Sequence, residues 1–106
     1  MGGETTMMKI NVEDEGDRKV LYLDGRLDVN AARDNEALFI ETAASTMDMV
    51  IDCEKMTYIS SAGLRNFIHV QKDMSAKKGR LVIRNVSTDV MDIFTSTGFI
   101  SIMNFE

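Results

Sequence analysis

The most informative feature of this chain is the stretch YISSAGLR, residues 58–65, because it joins a predicted strand to a predicted helix. Before it, the run Met49–Cys53 is apolar at four of its five positions, which is typical of a strand covered on both faces. After it, apolar residues recur with helical spacing as far as Met74. Two adjacent hydroxyls, those of Ser60 and Ser61, are therefore expected where a strand leads into a helix N-terminus.

A helix N-terminus is a favourable place for a phosphate. The first turn has unpaired backbone N–H groups and a partial positive charge, and both stabilise an anion. The small residues Ala62 and Gly63 would keep the surface around Ser61 open to a kinase or to a partner's backbone. Ser60 is also a good N-cap residue, and Ser61 would then be an ordinary first-turn residue without a function.

The remaining pattern predicts elements in the order β-β-α-β-α-β-α-β. A charged turn, Glu13–Asp17, joins the first two strands into an antiparallel hairpin. Later strands alternate with helices, which implies parallel neighbours joined by right-handed crossovers. We therefore expect one α/β domain with a mixed sheet and helices mainly on one face. The expected strands are Lys9–Val12, Val20–Leu23, Met49–Cys53, Leu81–Ile83 and Phe99–Phe105. The first expected helix follows a cap at Asp28 or Asn30, the second runs from Ser61 to Met74, and the third follows a cap at Ser87 or Thr88.

Composition narrows the classes of function. The chain has 106 residues, 44% of them apolar, which suits one small globular domain. A net charge of −5 argues against binding to nucleic acid or to an anionic membrane, and no apolar stretch is long enough to span a bilayer. The single cysteine fits a reducing cytoplasm. The polar residues 1–6 predict a disordered segment before a domain at residues 7–106.

The residue inventory argues against an enzyme. One histidine and one cysteine cannot build a His/Cys metal site, and neither a phosphate-binding loop nor a dinucleotide-binding glycine motif is present. His69 follows Ser61 by eight residues on the same predicted helix, about 12 Å along the axis, too far for a catalytic pair. We expect His69 to lie on the polar face with Asn66 and Asp73. The sequence therefore predicts a binding module without a cofactor or a metal.

Four segments together resemble the STAS family, and in particular its single-domain members, the anti-sigma factor antagonists. The segments are Gly25–Asp28, Val50–Asp52, Ser60–Leu64 and Phe94–Phe99. The resemblance implies that the unphosphorylated protein binds an anti-sigma factor with serine kinase activity and frees the sigma factor. Phosphorylation of a serine in the turn then switches binding off. Alignment on Gly63-Leu64 makes Ser61 the acceptor; Ser60, where the family often has Asp, is the alternative.

The resemblance also implies a partner-binding surface around the turn, formed by Asp28, Asn30, Ser60, Ala62, Gly63, Leu64 and Arg65. Asp28 can also be interpreted as a helix cap. Asp52 can be interpreted either as a turn-forming carboxylate or as part of the site. The expected partners are the anti-sigma factor kinase and a PP2C-type phosphatase, with the protein a cytoplasmic monomer. The alternative is a constitutive STAS interaction subunit of a transporter or signalling complex, in which Ser61 is not phosphorylated.

Overall fold

The described part of the chain, residues 8–106 of a computed structural model, contains four strands, three α-helices and a short 3₁₀ helix. The expected disordered segment, residues 1–6, lies outside the described residues, as does residue 7. The strands are β1 Lys9–Glu15, β2 Arg18–Leu27, β3 Asp48–Ile59 and β4 Arg80–Arg84. The helices are α1 Val29–Ala44, α2 Ser61–Ala76 and α3 Thr88–Ser96, followed by the 3₁₀ helix Phe99–Ser101.

The sheet is mixed, as expected. Its strands lie in chain order, with β1 antiparallel to β2 and with β2, β3 and β4 parallel. Because both parallel crossovers step in the same direction across the sheet, α1 and α2 cover the same face. Alternate residues of the strands, such as Leu21, Leu23, Ile51 and Cys53, pack with the helices in one core cluster. The predicted fold class is confirmed.

A row of phenylalanines joins the three helices. Phe39 of α1 lies 6.0 Å from Phe67 of α2 between ring centroids, and Phe67 lies 5.8 Å from Phe94 of α3. Phe105 completes the row in an edge-to-face contact with Phe94 at 5.2 Å. The first three rings are 1% exposed or less, so this row anchors the helices to one another over the sheet.

The first hairpin is tighter than the sequence predicts. The sequence predicts a charged turn over Glu13–Asp17, whereas β1 continues to Glu15 and the turn is only Gly16-Asp17. Gly16 has φ +68°, a conformation that glycine adopts without steric cost. Charged side chains pair across the two strands, as Asp14 does with Lys19 at 2.8 Å, and this pairing favours a strand where composition alone indicates a turn.

Strand β3 is also longer than predicted. The apolar run ends at Cys53, but the strand continues to Ile59, with Met56 and Ile59 buried and Thr57 exposed. This second half pairs with the end of β2, where Leu27 is opposite Ile59. The extension therefore depends on pairing with a segment that lies about thirty residues earlier, which local composition does not encode.

The predicted last strand, Phe99–Phe105, is wrong. Gly98 has φ +82° and starts a 3₁₀ turn, and only Phe105 forms a bridge, parallel to Ile83. The backbone N–H of Ile83 donates to the carbonyl of Asn104 at 2.8 Å. The segment is apolar because Met103 and Phe105 pack on the core, a role that does not require an extended strand. None of the helices described is long and apolar enough to cross a membrane.

Candidate functional site

Two helix N-termini meet at one edge of the sheet. The parallel strands β2 and β3 end side by side at Leu27 and Ile59, and a helix begins directly after each. Asp28 caps α1, because its Oδ1 accepts from the N–H of Ala31 at 2.8 Å. Ser60 caps α2, because its Oγ accepts from the N–H of Gly63 at 3.1 Å. The predicted caps therefore lie next to each other, and we call this place the strand-edge turn.

Ser60 is held inside the strand-edge turn. Its Oγ donates to the carbonyl oxygen of Leu27 at 2.9 Å, and its backbone N–H donates to the same oxygen at 2.9 Å. With the cap to Gly63, the hydroxyl both donates and accepts, and the residue is only 6% exposed. Ser60 thus links the end of β2 to the start of α2, and its hydroxyl is not open to another protein.

Ser61 has the opposite environment. It is the first residue of α2 and is exposed. Within residues 8–106 its hydroxyl has no hydrogen-bond partner. The neighbouring backbone N–H groups of the first turn point toward the same end of the helix, so an anion on this side chain would lie near unpaired donors.

Gly63 has a different role from the one expected. A Cβ at this position would lie 2.8 Å from the Cγ and Cδ2 of Leu27 and 2.9 Å from the Cγ1 of Ile59. Gly63 is buried and faces the core, so its small size allows α2 to approach the strand ends and does not open the surface around Ser61. Leu64 is also a core residue, 3% exposed.

The expected partner-binding surface is therefore smaller than the sequence indicated. Three of its seven residues, Ser60, Gly63 and Leu64, are buried and cannot form its contact surface. The other four are at least partly accessible: Asp28 and Ala62 are half-buried, and Asn30 and Arg65 are exposed.

A groove that the sequence did not reveal continues from the strand-edge turn between α1 and α2. Its volume is about 300 Å³, and it is lined by Val29, Arg33 and Glu36 of α1 and by Ala62, Arg65 and His69 of α2, among others. His69 Nδ1 lies 3.8 Å from Glu36 Oε2 across the groove. No local pattern marks α1 as half of this surface, because the two helices meet only in the folded chain.

Asn66 forms the base of this groove. We expected it on the polar face with His69, but it is 6% exposed and its Nδ2 donates to the carbonyl oxygen of Ala32 at 3.1 Å. That bond joins α1 to α2. His69 itself is exposed, as expected.

Asp52 is not part of the strand-edge turn. It lies in the middle of β3, seven residues before Ile59, which separates it from the turn by about 23 Å of extended chain. Its Oδ2 accepts from Arg84 Nε at 2.8 Å and from Asn85 Nδ2 at 3.0 Å, and its Oδ1 accepts from the N–H of Glu54 at 3.0 Å. The interpretation of Asp52 as a turn-forming residue is wrong, because it lies inside β3, and it is not next to the serines of the strand-edge turn.

The surroundings of Asp52 form a polar network on the sheet face opposite the helices. Arg84 Nη2 also donates to the phenolic oxygen of Tyr22 at 3.1 Å, and Tyr22 donates to Glu15 Oε2 at 2.5 Å. Burial raises the pKa of Asp52, but the hydrogen bonds from Arg84, Glu54 and Asn85 outweigh it, so the pKa is below its usual value. We call Glu15, Tyr22, Asp52, Arg84 and Asn85 the sheet-face network.

No group of three or more His, Cys, Asp or Glu side chains in residues 8–106 is arranged to hold a metal ion. Cys53 is buried in the core, and burial raises the pKa of its thiol far above the usual range. A buried protonated thiol is a poor nucleophile.

Comparison with known proteins identifies the domain. The STAS domain family matches residues 9–106. The crystal structure of an anti-sigma factor antagonist from Mycobacterium paratuberculosis has a TM-score of 0.83 and 18% identity, covering 92% of this chain and 84% of that one. The phosphorylated Bacillus cell fate determinant SpoIIAA has a TM-score of 0.72 and 19% identity, covering 92% and 91%. At these identities the two structures establish the fold alone.

A curated relative is more similar in sequence over a shorter segment. It is a Bordetella bronchiseptica protein provisionally named anti-sigma factor antagonist BtrV, 39% identical over 54 residues. The match covers 51% of this chain and 47% of the relative, so it spans about half the length of each.

Proposed function

The chain belongs to the STAS domain family, and on that premise we propose that it is an anti-sigma factor antagonist controlled by phosphorylation of Ser61. The unphosphorylated protein binds an anti-sigma factor that is also a serine kinase, and the sigma factor is released. Phosphorylation ends this binding, and a PP2C-type phosphatase restores it. The protein acts in the cytoplasm by binding and carries out no catalysis of its own.

The contrast between the two serines is the observation that carries the proposal. Ser61 is exposed on the first turn of α2, whereas the hydroxyl of Ser60 is used twice inside the strand-edge turn. Phosphorylation of Ser60 would remove its bond to Leu27 and its cap on Gly63. Ser61 can accept a phosphate without the loss of any such contact, which favours it over Ser60 as the acceptor.

The proposed modification is a simple phosphoryl transfer. The Oγ of Ser61 forms a bond to the γ-phosphorus of ATP, the bond from that phosphorus to the bridging oxygen breaks, and ADP leaves. The hydroxyl proton passes to a base that the kinase supplies. The product has about −1.5 to −2 added charges, which the α2 N-terminus stabilises, so the domain stays folded.

The added phosphate acts on the partner. A bulky dianion at Ser61 would lie beside Ala62, at a surface from which a docked protein would exclude water. Each loss of about 1.4 kcal/mol in binding lowers the affinity tenfold, and an unpaired phosphate at an interface costs at least that much. The names of the Bordetella relative and of the Mycobacterium structure support an anti-sigma factor as the partner.

The test uses the purified chain with candidate anti-sigma factor kinases and ATP. We expect the intact mass to increase by one phosphate, peptide mapping to place it on Ser61, and affinity for the kinase to fall at least tenfold. Ser61→Ala should remain unmodified and should still bind. Modification that persists in Ser61→Ala would show that the acceptor is wrong.

The same experiment distinguishes the alternative function. A partner that binds the protein tightly but never phosphorylates it, with equal affinity for the wild type and a form that contains phosphoserine at 61, would favour a constitutive interaction subunit. In that case Ser61 would be an ordinary first-turn residue of α2 without a regulatory role.

A further inference from the structure

The groove between α1 and α2 has two arginines at its rim in a chain whose net charge is −5. Arg33 is on α1 and Arg65 is on α2, and both are exposed. In the described part of the chain neither side chain is in an ion pair. Val29, 52% exposed, and Ala62 add apolar surface to the same groove. The one carboxylate in the groove lining, that of Glu36, lies 3.8 Å from His69, so the two arginines leave the groove with an excess of positive charge. Charge complementarity therefore favours a partner segment with a carboxylate beside an apolar side chain.

Arg65 also lies next to the proposed phosphorylation site. With 3.6 residues per turn, Ser61 and Arg65 are about 40° apart around α2 and about 6 Å apart along its axis. Ala62 and Asn66 face α1, and around the helix they lie about 60° and about 100° beyond Arg65, in the direction that leads from Ser61 to Arg65. The side chain of Arg65 is thus placed between Ser61 and the groove, and it is long enough to serve either.

We propose that Arg65 is a positioning residue of the switch: it binds a partner carboxylate in the groove, and the phosphate of phosphorylated Ser61 draws it away. This inference rests on the proposed function, in which Ser61 is phosphorylated. Phosphorylation then removes the Arg65 cation from the partner's binding surface and adds an anion there in one step. A single phosphate therefore lowers the affinity by more than charge repulsion alone would.

The phosphate has two advantages over the carboxylate. It has nearly two charges and three acceptor oxygens, which match the fork of N–H groups on a guanidinium. It is also attached one helical turn away, so its effective concentration near Arg65 is high, whereas the carboxylate must come from solution.

The direct test requires no partner. Phosphoserine is installed at position 61 of the full chain during translation, and its phosphorus resonance is followed by NMR as the pH changes. We expect the second pKa of the phosphate to lie below its ordinary value near 6, and to rise by about 0.3 unit in Arg65→Gln. Lys72→Gln, an exposed cation on the same helix, should leave the titration unchanged. Equal titration curves for all three proteins would overturn the proposal.

A second test separates this inference from the proposed function. Affinity for the anti-sigma factor kinase is measured for the wild type and Arg65→Gln, each with serine or phosphoserine at position 61. We expect Arg65→Gln to weaken binding of the unphosphorylated form about tenfold and to reduce the effect of the phosphate, because the arginine is already lost. Additive effects would overturn only the role of Arg65. Equal affinities of the two wild-type forms would overturn the phosphorylation switch itself.

Discussion

The sheet-face network and the strand-edge turn are both polar clusters, but they leave their hydrogen-bonding groups in different states. In the sheet-face network Asp52 accepts three hydrogen bonds, and Arg84 donates to both Asp52 and Tyr22. In the strand-edge turn the hydroxyl of Ser60 donates one hydrogen bond and accepts another, whereas the hydroxyl of Ser61, next to it, is exposed. Groups that satisfy one another hold the fold together, and a group left free is available to a partner.

Removing Arg84 should have the largest effect on stability. Arg84→Ala leaves the carboxylate of Asp52 buried without its cation, and we expect a loss of about 3 kcal/mol in the free energy of unfolding by urea denaturation. Arg80→Ala, an exposed arginine on the same strand, is the matched control and should cost less than about 0.5 kcal/mol. The proposed phosphorylation of Ser61 should be unchanged in the folded fraction of both variants. Equal stabilities of the two variants would show that the sheet-face network is not structural.

The two serines of the strand-edge turn provide a matched pair. Ser60→Ala removes the cap of α2 and the hydroxyl bond to Leu27, and should lower the free energy of unfolding by about 1.5 kcal/mol. Ser61→Ala should change it by less than about 0.5 kcal/mol. Thermal unfolding of both variants measures the difference. If Ser61→Ala is the more destabilising of the two, the fold depends on Ser61 and not on the contacts of Ser60.

Gly63→Ala tests how tightly α2 approaches the strand ends. The new methyl group would overlap Leu27 and Ile59, which costs about 1–3 kcal/mol, while alanine returns about 1 kcal/mol of helix propensity. We expect a net loss of about 1 kcal/mol in denaturant unfolding. An increase in stability would mean that the strand ends move aside easily and that Gly63 does not limit the packing there.

The pH dependence of stability is the smallest of these effects, because burial partly offsets the hydrogen bonds that lower the pKa of Asp52. A carboxyl group with a lower pKa in the folded state contributes stability that is fully present above its unfolded pKa, near 3.9. This contribution is lost as the pH falls through the folded value. We expect Asp52→Asn to have a flatter stability profile below about pH 4 than the wild type. Parallel profiles would assign the acid sensitivity to other carboxylates.

Local sequence patterns were sufficient where the contacts are local. The caps at Asp28, Ser60 and Ser87 each bond to an N–H only three residues later, so residue type and position predict Ser60 and limit the other two caps to Asp28 or Asn30 and to Ser87 or Thr88. The helices and their buried faces follow from spacing in the same way. The fold class then follows from the order of elements, because short connections and right-handed crossovers leave few arrangements.

The final segment shows where local patterns fail. Phe99–Phe105 is apolar enough for a strand, but its backbone forms a 3₁₀ turn and one bridge to Ile83. Apolar composition reports burial, and burial on the core is compatible with more than one backbone conformation. The choice between them depends on Gly98 and on the shape of the surface that Met103 and Phe105 cover.

The order and spacing of residues were enough to predict the three helices, the mixed sheet and two serines at the start of α2, and they limited the caps of α1 and α3 to two candidates each. Which of the two hydroxyls is free depends on a tertiary contact, because the Leu27 carbonyl that holds Ser60 lies 33 residues earlier in the chain. The same holds for Asp52, whose cation Arg84 lies 32 residues later, and for the groove between α1 and α2. Contacts between distant segments form only when the chain has folded, and they determine which polar groups are satisfied and which remain available for binding.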